Sequence, residues 1–330
     1  MIEKLGLALG AVVVGVLGAV ALFWLLNKAV ELLPKKWELR LKPYALLLPA
    51  MAAITVFLIY PAAETIIASF RRGRRGRLLE FVGLDNYARL FGDPNFINTL
   101  INNVLWIIVA PTAIVALGLL VAVLVDKLRP TAEKVAKSII FLPMAISMVG
   151  ASTIWNFVYA WRPEGSSQVG LLNAILVGLG GSPQTWLQID AARFNTFLLM
   201  VVYIWTQVGY AMVLLSAALK GVPEDTIEAG RIDGASESRI FWRIILPQAW
   251  PTVVTVFITV LIGVMKVFDI VYAMTNGNYN TNVLGNAFYA ALFRGGDPGL
   301  ASAIVVILII AIIPVLVYQV RQFRLQEANS

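Results

Sequence analysis

Cysteine and histidine are both absent from the 330 residues, and acidic and basic side chains together make up only 14% of them. Without cysteine there are no disulfides, no thiolate nucleophiles and no Cys-ligated zinc or iron–sulfur sites; without histidine the commonest general base and the commonest metal ligand are gone. Most enzyme chemistries lose their usual residues, and no metal site is expected. No G-x-x-x-x-G-K-[ST] stretch occurs, so a phosphate-cradling loop of the ATPase kind is not encoded. The nearest Gly-rich segment, Gly178-Leu179-Gly180-Gly181, lacks a preceding strand and a following helix and reads as a turn.

What is present is apolar. Hydrophobic residues make up 59% of the chain and the mean hydropathy is +0.80, which excludes a soluble globule and points to a membrane protein. The net charge of +7 needs no nucleic acid to explain it, because bilayer-spanning chains carry surplus Lys and Arg on their cytoplasmic side.

A helix crossing about 30 Å of hydrocarbon needs roughly 20 residues. Charge disappears for that length in seven places, at 5–26, 44–68, 99–125, 138–160, 194–219, 251–274 and 299–318. Each is too long for a barrel strand, and a lipid-exposed backbone must satisfy its own hydrogen bonds, so the expected fold is an all-α integral membrane protein with seven transmembrane helices. The first stretch exceeds the usual apolar core of a secretory signal and has no small-x-small cleavage site after it, so it reads as a retained helix. Its Gly6-x-x-x-Gly10 pair suits close helix packing, though such spacing also arises by chance in Gly-rich spans.

Orientation follows from Lys and Arg. One set of alternate loops (27–43, 126–137, 220–247, 319–330) holds 15 and the other holds 10, which predicts the first set to be cytoplasmic, with the N-terminus outside and the C-terminus inside. Arg71, Arg72, Arg74, Arg75 and Arg77 run against this count. Their bland reading is a headgroup-binding anchor beyond the second span; the rival is a misplaced span or an inverted topology.

The segment 221–247 reads as helix, sharp turn, helix. Pro223 suits a first helical turn, Glu224 and Asp225 complement the positive end of the helix dipole, and Gly234 can adopt a positive φ and stop the helix. A second helix is expected over 235–245, interrupted by Leu246-Pro247. Apolar Ile227, Ile232, Ile240, Phe241 and Trp242 alternate with Glu228, Asp233, Glu237, Arg231, Arg239 and Arg243. Such a surface fits either a partner's groove or a loop lying on the membrane.

The run Glu228-Ala229-Gly230-Arg231-Ile232-Asp233-Gly234-Ala235, followed by Phe241, Ile244, Leu246-Pro247 and Pro251, resembles the EAA loop of binding-protein-dependent ABC importer permeases. Gly230 departs from the family's second alanine, and at roughly 1 kcal/mol of lost helix propensity it is expected to loosen that turn. Further matches are similar to sugar-importer permeases of the maltose and glycerol-phosphate type: Tyr60-Pro61, Ser69-Phe70, Val82 to Tyr87, Asp93-Pro94, Phe141-Leu142-Pro143, Gly170 to Asn173, Trp186-Leu187 and Lys266 to Asp269. The Arg71–Arg77 cluster and Asn276-Gly277-Asn278, where the family often has Gly-Gly-Pro, depart from it.

The resemblance implies a six-helix type I importer permease core at 43–330, preceded at 1–42 by an added transmembrane helix and a basic cytoplasmic linker. It implies that 221–247 is a coupling loop set into a cytoplasmic ABC ATPase dimer. Glu228 would contact a basic residue of that ATPase, and Ala229, Gly230, Asp233, Gly234, Ala235, Phe241, Leu246 and Pro247 would shape the contact. It further implies a second related permease, an extracytoplasmic sugar-binding protein and a prokaryotic inner membrane. ATP and Mg would be bound by the partner ATPase, with no cofactor in this chain.

The expected function is therefore the permease subunit of an ATP-driven importer for a sugar or related polyol, with an ATP-independent secondary transporter or channel as the alternative. Neutral sugars are recognised by hydroxyl, amide and aromatic groups. Within the spans these are Asn156, Tyr159, Tyr203, Thr206, Gln207, Tyr210, Asp269, Tyr272 and Asn276. Taken singly, each tyrosine fits an interfacial belt equally well. Lys266 and Asp269, at i and i+3, are expected to share a helical face and neutralise each other. Gly83 to Phe96 is expected to carry an interfacial helix through Leu84, Tyr87, Leu90 and Phe91.

Overall fold

A computed structural model describes residues 2–329, in which the chain divides into two compact units, Met1–Ile67 and Ala68–Ser330. In the first, α1 (Ile2–Glu31) and α2 (Lys35–Ile54) are joined by a short turn at Pro34, whose φ of −53° suits the N-cap of α2. Glu31 pairs with Lys28 at 2.9 Å. Pro43 and Pro49 lie inside α2, and a π-helical turn at Thr55–Ile59 leads into α3 (Tyr60–Ser69). No residue of α2 is buried, and Lys42 of α2 lies 3.8 Å from Glu31 of α1.

The second unit begins with the last two residues of α3, Ala68 and Ser69, and continues into an antiparallel hairpin of β1 (Arg71–Arg74) and β2 (Arg77–Phe81). These strands are absent from the all-α expectation. Arg75 (φ 50°) and Gly76 (φ 75°) supply the two positive φ values that a primed hairpin turn needs. The Arg cluster is thus a hairpin. Arg72 reaches Glu80 at 3.5 Å and Asp85 at 3.6 Å, while no acid pairs with the other four among the described residues. Gly73 anchors the hairpin: a Cβ there would lie 2.5 Å from Gly299 N and Pro298 Cδ, at the start of α15 (described below). Asn86 locks the same corner by donating to the Ser69 and Arg71 carbonyls, both at 2.9 Å.

The remaining helices are α4 (Asp85–Phe91), α5 (Pro94–Val125), α6 (Pro130–Phe141), α7 (Met148–Val158), α8 (Leu171–Gly178), α9 (Phe194–Lys220), α10 (Glu224–Ile232), α11 (Glu237–Ile240), α12 (Leu246–Met265), α13 (Asp269–Met274), α14 (Leu284–Tyr289) and α15 (Pro298–Asn329). The central pair is α5 with α9, and α12 packs against both. Trp106, Ala110 and Ile114 of α5, Leu199, Met212 and Leu215 of α9 and Val256, Val260 and Val264 of α12 fill one core. Gly118 sets the approach of α5 to α9, since a Cβ there would meet the Ala211 Cβ at 2.6 Å. Where lipid tails compete equally for apolar surface, small residues permit the close contact that holds helices together. A smaller cluster of Leu90, Phe96, Leu284, Ala303 and Ile304 joins α4, α5, α14 and α15.

Among the described residues six helical stretches are long and apolar enough to cross a membrane, and a broken pair, counted as one span, makes a seventh. That pair corrects the expected straight span at 138–160: α6, a 3-10 turn at Leu142–Ala145 and α7 bend by 102°. Pro143 cannot continue the helical ladder, and the Ser147 hydroxyl restarts it by accepting from Gly150 N at 3.1 Å. Gly209 of α9 fits beneath the break, where a Cβ would collide with the Ile140 and Phe141 backbone.

The span at 251–274 is also broken. Helix α12 stops at Met265, and Phe268 (φ −147°, ψ −58°) leaves the helical region before α13. Lys266 and Asp269 therefore share no helical face, and no ion pair joins them among the described residues. The expected interfacial helix exists as α4, but Leu90 is buried against α15 and the Tyr87 hydroxyl donates to Ser69 Oγ at 2.7 Å. Only Leu84 and Phe91 of the four stay exposed.

Candidate functional site

Two ends of the helix bundle are defined by contacts. At one, α9 runs into the 221–247 segment. Pro223 precedes α10 as its N-cap, one position earlier than expected, and Glu224 and Asp225 occupy the first turn. Helix α10 ends in a Schellman motif: Gly234 takes φ +76°, its N–H donates to the Arg231 carbonyl and the Ala235 N–H to the Gly230 carbonyl, both at 3.0 Å. Ser236 then caps α11 by accepting from Arg239 N. Arg231 grips Glu237 across the turn, Nε to Oε1 at 2.8 Å and a second nitrogen to Oε2 at 3.3 Å. That carboxylate holds the Arg231 guanidinium pKa above its ordinary value.

Leu246-Pro247 does not interrupt the second helix. A π-helical turn at Phe241–Ile245 joins α11 to α12, and the helix runs on from Glu237 to Met265. Proline clashes with the carbonyl four residues earlier, and a widened turn moves that carbonyl away. Gly230 is likewise not a loosened position. It is buried where α10 crosses the following helix, and a Cβ would meet Ile244 Cδ1 at 2.7 Å and Ile240 Cγ1 at 3.4 Å. The outward face of α10 carries Glu224, Glu228 and Ile232 at i, i+4 and i+8, all exposed. Glu228 has no ion pair or hydrogen bond among the described residues, and Ile232 is 86% exposed.

Above this segment an ionic cluster ties three helix ends. Lys137 of α6 contacts Asp126 at 2.8 Å and Glu133 at 2.7 Å, Ser216 of α9 donates to Asp126 at 2.7 Å, and Lys220 pairs with Glu133. The root of 221–247 is thereby fastened to the α5–α6 corner.

The opposite end is built from amides. Arg193 (φ 59°) donates to Asn102 Oδ1 at 2.6 Å and Asn98 Oδ1 at 3.0 Å. Asn102 is fully buried and donates to the carbonyls of Asn280 at 2.6 Å and Asn282 at 2.8 Å, and Asn195 donates to the Tyr279 carbonyl at 2.7 Å. These bonds hold loop 275–283, which has positive φ at Asn276, Gly277, Tyr279 and Asn280, over the start of α5. The hydropathy pattern conceals this end, because Asn95, Asn98 and Asn102 precede or open an apolar run. Their i, i+3 and i+7 spacing is the available signal of a polar face.

The expected path residues do not gather in one cavity. Tyr203 is buried edge-on against Trp106 at 6.0 Å, and Thr206 donates to the Tyr203 carbonyl. Gln207 and Tyr210 are half-buried on α9, and Asn156 is half-buried on α7. The Tyr159 hydroxyl donates to the Leu198 carbonyl at 3.0 Å. Tyr272 stands 5.0 Å from Tyr289, with the Arg294 guanidinium 5.8 Å from its ring; Arg294 also donates to Asn276 Oδ1 at 2.6 Å. Asp269 is exposed in the first turn of α13. A cleft of about 720 Å³ between α5, α12 and α15 is apolar, with Trp242, Trp250, Phe257 and Tyr318 on its walls and no charged group.

The helical order, the broken spans and the helix–turn–helix at 221–247 can be compared with known proteins. Residues 114–325 match the family described as binding-protein-dependent transport system inner membrane component. The alpha-glucoside transport system permease protein AglF of Rhizobium meliloti is 43% identical over 97% of both chains. The osmoprotective compounds uptake permease protein GgtC of Synechocystis is 48% identical over 84% of this chain and 98% of that one. The fold is shared with a bacterial ABC transporter involved in the import of the acidic polysaccharide alginate, with a TM-score of 0.73 at 21% identity over 85% of this chain and 94% of that one. By family match and by near full-length identity, the chain belongs to the binding-protein-dependent transport system inner membrane components, the multi-pass permease subunits of ABC transporters.

Proposed function

We propose that this permease forms half of the membrane pathway for a neutral sugar or related polyol and couples to a separate cytoplasmic ATPase dimer through residues 221–247. The observation that carries the coupling assignment is the rigid, outward-facing elbow. Its inner side is packed through Gly230, Ile240 and Ile244, while Glu228 and Ile232 are exposed on the outward side. An exposed carboxylate beside an exposed aliphatic side chain matches a cleft with a cation at its rim and an apolar floor. On this reading ATP and Mg belong to the partner chain, the N-terminus lies outside and the C-terminus lies in the cytoplasm.

The substrate class is supported by relatives named for alpha-glucosides and osmoprotective compounds and by the polar, uncharged character of Asn156, Gln207 and Tyr210. A second related permease would complete the pathway, and an extracytoplasmic binding protein would deliver the solute. Closure of the ATPase dimer would pull on the elbow, and the α5–α6 corner fastened to it would transmit the movement as alternating access. Family membership does not favour the ATP-independent alternative.

Affinity purification of tagged chain from membranes tests this: a P-loop ATPase is expected to co-purify with wild type and to be depleted with Glu228→Lys. A cysteine introduced at Ser236 is expected to resist membrane-impermeant maleimide in intact cells and to react after permeabilisation. Ready labelling in intact cells would reverse the topology and remove the coupling assignment.

A further inference from the structure

At the end of the bundle remote from the elbow, a cavity of about 270 Å³ is lined by Asn95, Asn98, Thr99, Asn102, Gly277, Tyr279, Asn280 and Asn282. None of these side chains is charged and five are amides. The volume is near the lower end for small-ligand pockets, roughly 300 Å³, which suits one sugar ring and not an extended chain.

The amides are oriented before any ligand arrives. Because Arg193 donates to Asn98 Oδ1, the Asn98 Nδ2 is left as the outward donor. Because Asn282 Oδ1 accepts from Asn286 Nδ2 at 2.8 Å and Val283 N at 3.1 Å, the Asn282 Nδ2 is likewise free to donate. Asn280 donates to Asp190 at 3.2 Å and Asn95 to Asp93 at 3.1 Å, so their Oδ1 atoms remain as acceptors. Among the described residues none of these four outward atoms has a protein partner. Two fixed donors and two fixed acceptors around one cavity match vicinal hydroxyls, each of which donates and accepts. The exposed Tyr279 ring at the rim offers an apolar face for the C–H side of a sugar ring. An anion would meet the acceptor oxygens of Asn95 and Asn280 with Asp93 and Asp190 beside them, and a cation would meet the Asn98 and Asn282 donors and the Arg193 charge behind Asn98.

We infer that this cavity is an entry subsite for a single neutral saccharide ring at the extracytoplasmic mouth, separate from the Gln207–Tyr210 face within the membrane. It rests on the sugar-importer reading for its orientation and its substrate class. Its role is to hold the solute during hand-over from the binding protein, when alternating access first opens the path.

The test uses the assembled transporter in nanodiscs without binding protein, with maltose, sucrose and trehalose as probes and L-glutamate as the charged control. Saturation-transfer NMR is expected to show transfer to at least one disaccharide and none to glutamate. Asn98→Ala should reduce that transfer, and so should Tyr279→Asn, which removes the ring but keeps a residue tolerant of positive φ. In proteoliposomes with binding protein, both variants should raise the uptake KM about three- to tenfold, the scale of one neutral hydrogen bond. ATPase recovery serves as the assembly control.

Wild-type uptake with unaltered KM and transfer in both variants overturns the subsite and leaves the importer reading standing. Absence of both uptake and transfer for every sugar overturns the two together. A raised KM without any saccharide transfer in the absence of binding protein would reassign the cavity to protein docking and overturn the saccharide subsite.

Discussion

Gly234 is where the elbow's rigidity can be measured. Valine at this position forces a β-branched side chain to φ +76°, a left-handed conformation costing about 1–2 kcal/mol. Apart from its chain neighbours, no described atom lies within 4 Å of a Cβ there, so the cost at the Cβ is torsional. It is relieved only by releasing the Schellman bonds from Gly234 N to Arg231 and from Ala235 N to Gly230. The open fraction of that turn should therefore rise about 5–30-fold. Hydrogen exchange on the purified transporter reads this directly. Amides of residue 234 and Ala235 should exchange faster by that factor, with the middle of α5 unchanged. ATP-dependent uptake should fall with it, because a yielding elbow transmits less displacement. Asparagine tolerates the left-handed region, so Gly234→Asn should restore most of both. Wild-type exchange at Ala235 in Gly234→Val would show that the turn is not held by this motif and would remove the rigid-elbow reasoning.

Three further outcomes are expected. Asn102→Leu leaves the Asn280 and Asn282 carbonyls and part of the Arg193 fork without a partner; a loss of about 2–3 kcal/mol should lower the midpoint by roughly 3–4 °C in fluorescence-detected size-exclusion melts. Lys137→Met removes one of the two lysines shared by Asp126 and Glu133 and should lower the melting midpoint at low ionic strength, with the gap to wild type narrowing in high salt as screening weakens the pairs. Gln207→Leu with Tyr210→Leu should abolish uptake while ATPase co-purification persists; undiminished uptake would remove that face from the pathway.

The helical membrane architecture was legible in residues because its signals are local, and the resemblance of 228–251 to the EAA loop added the permease expectation. Apolar runs of a length fixed by bilayer thickness give the spans, and the 228–251 pattern spells a helix stop at Gly234 and a second helix after it. The misjudged positions share one cause: their conformation depends on what packs against them. Pro143 and Pro247 look alike as helix breakers. At Pro143 the 3-10 turn and the Ser147 cap produce a bend of 102°, whereas at Pro247 a π turn absorbs the ring and the helix continues. Gly230 reads as a propensity defect until Ile240 and Ile244 are seen against it.

Composition and run length by themselves determined a helical membrane protein, and the capping residues a helix–turn–helix at 221–247, because hydrophobic length and capping are encoded in neighbouring residues. The permease expectation came from the resemblance of residues 228–251 to the EAA loop. Only the tertiary structure decided which spans break, where the Arg hairpin docks and how the asparagines converge. Those outcomes depend on contacts between segments far apart in the chain: Arg193 with Asn98 and Asn102, Gly73 with Gly299, and Gly209 with the broken span.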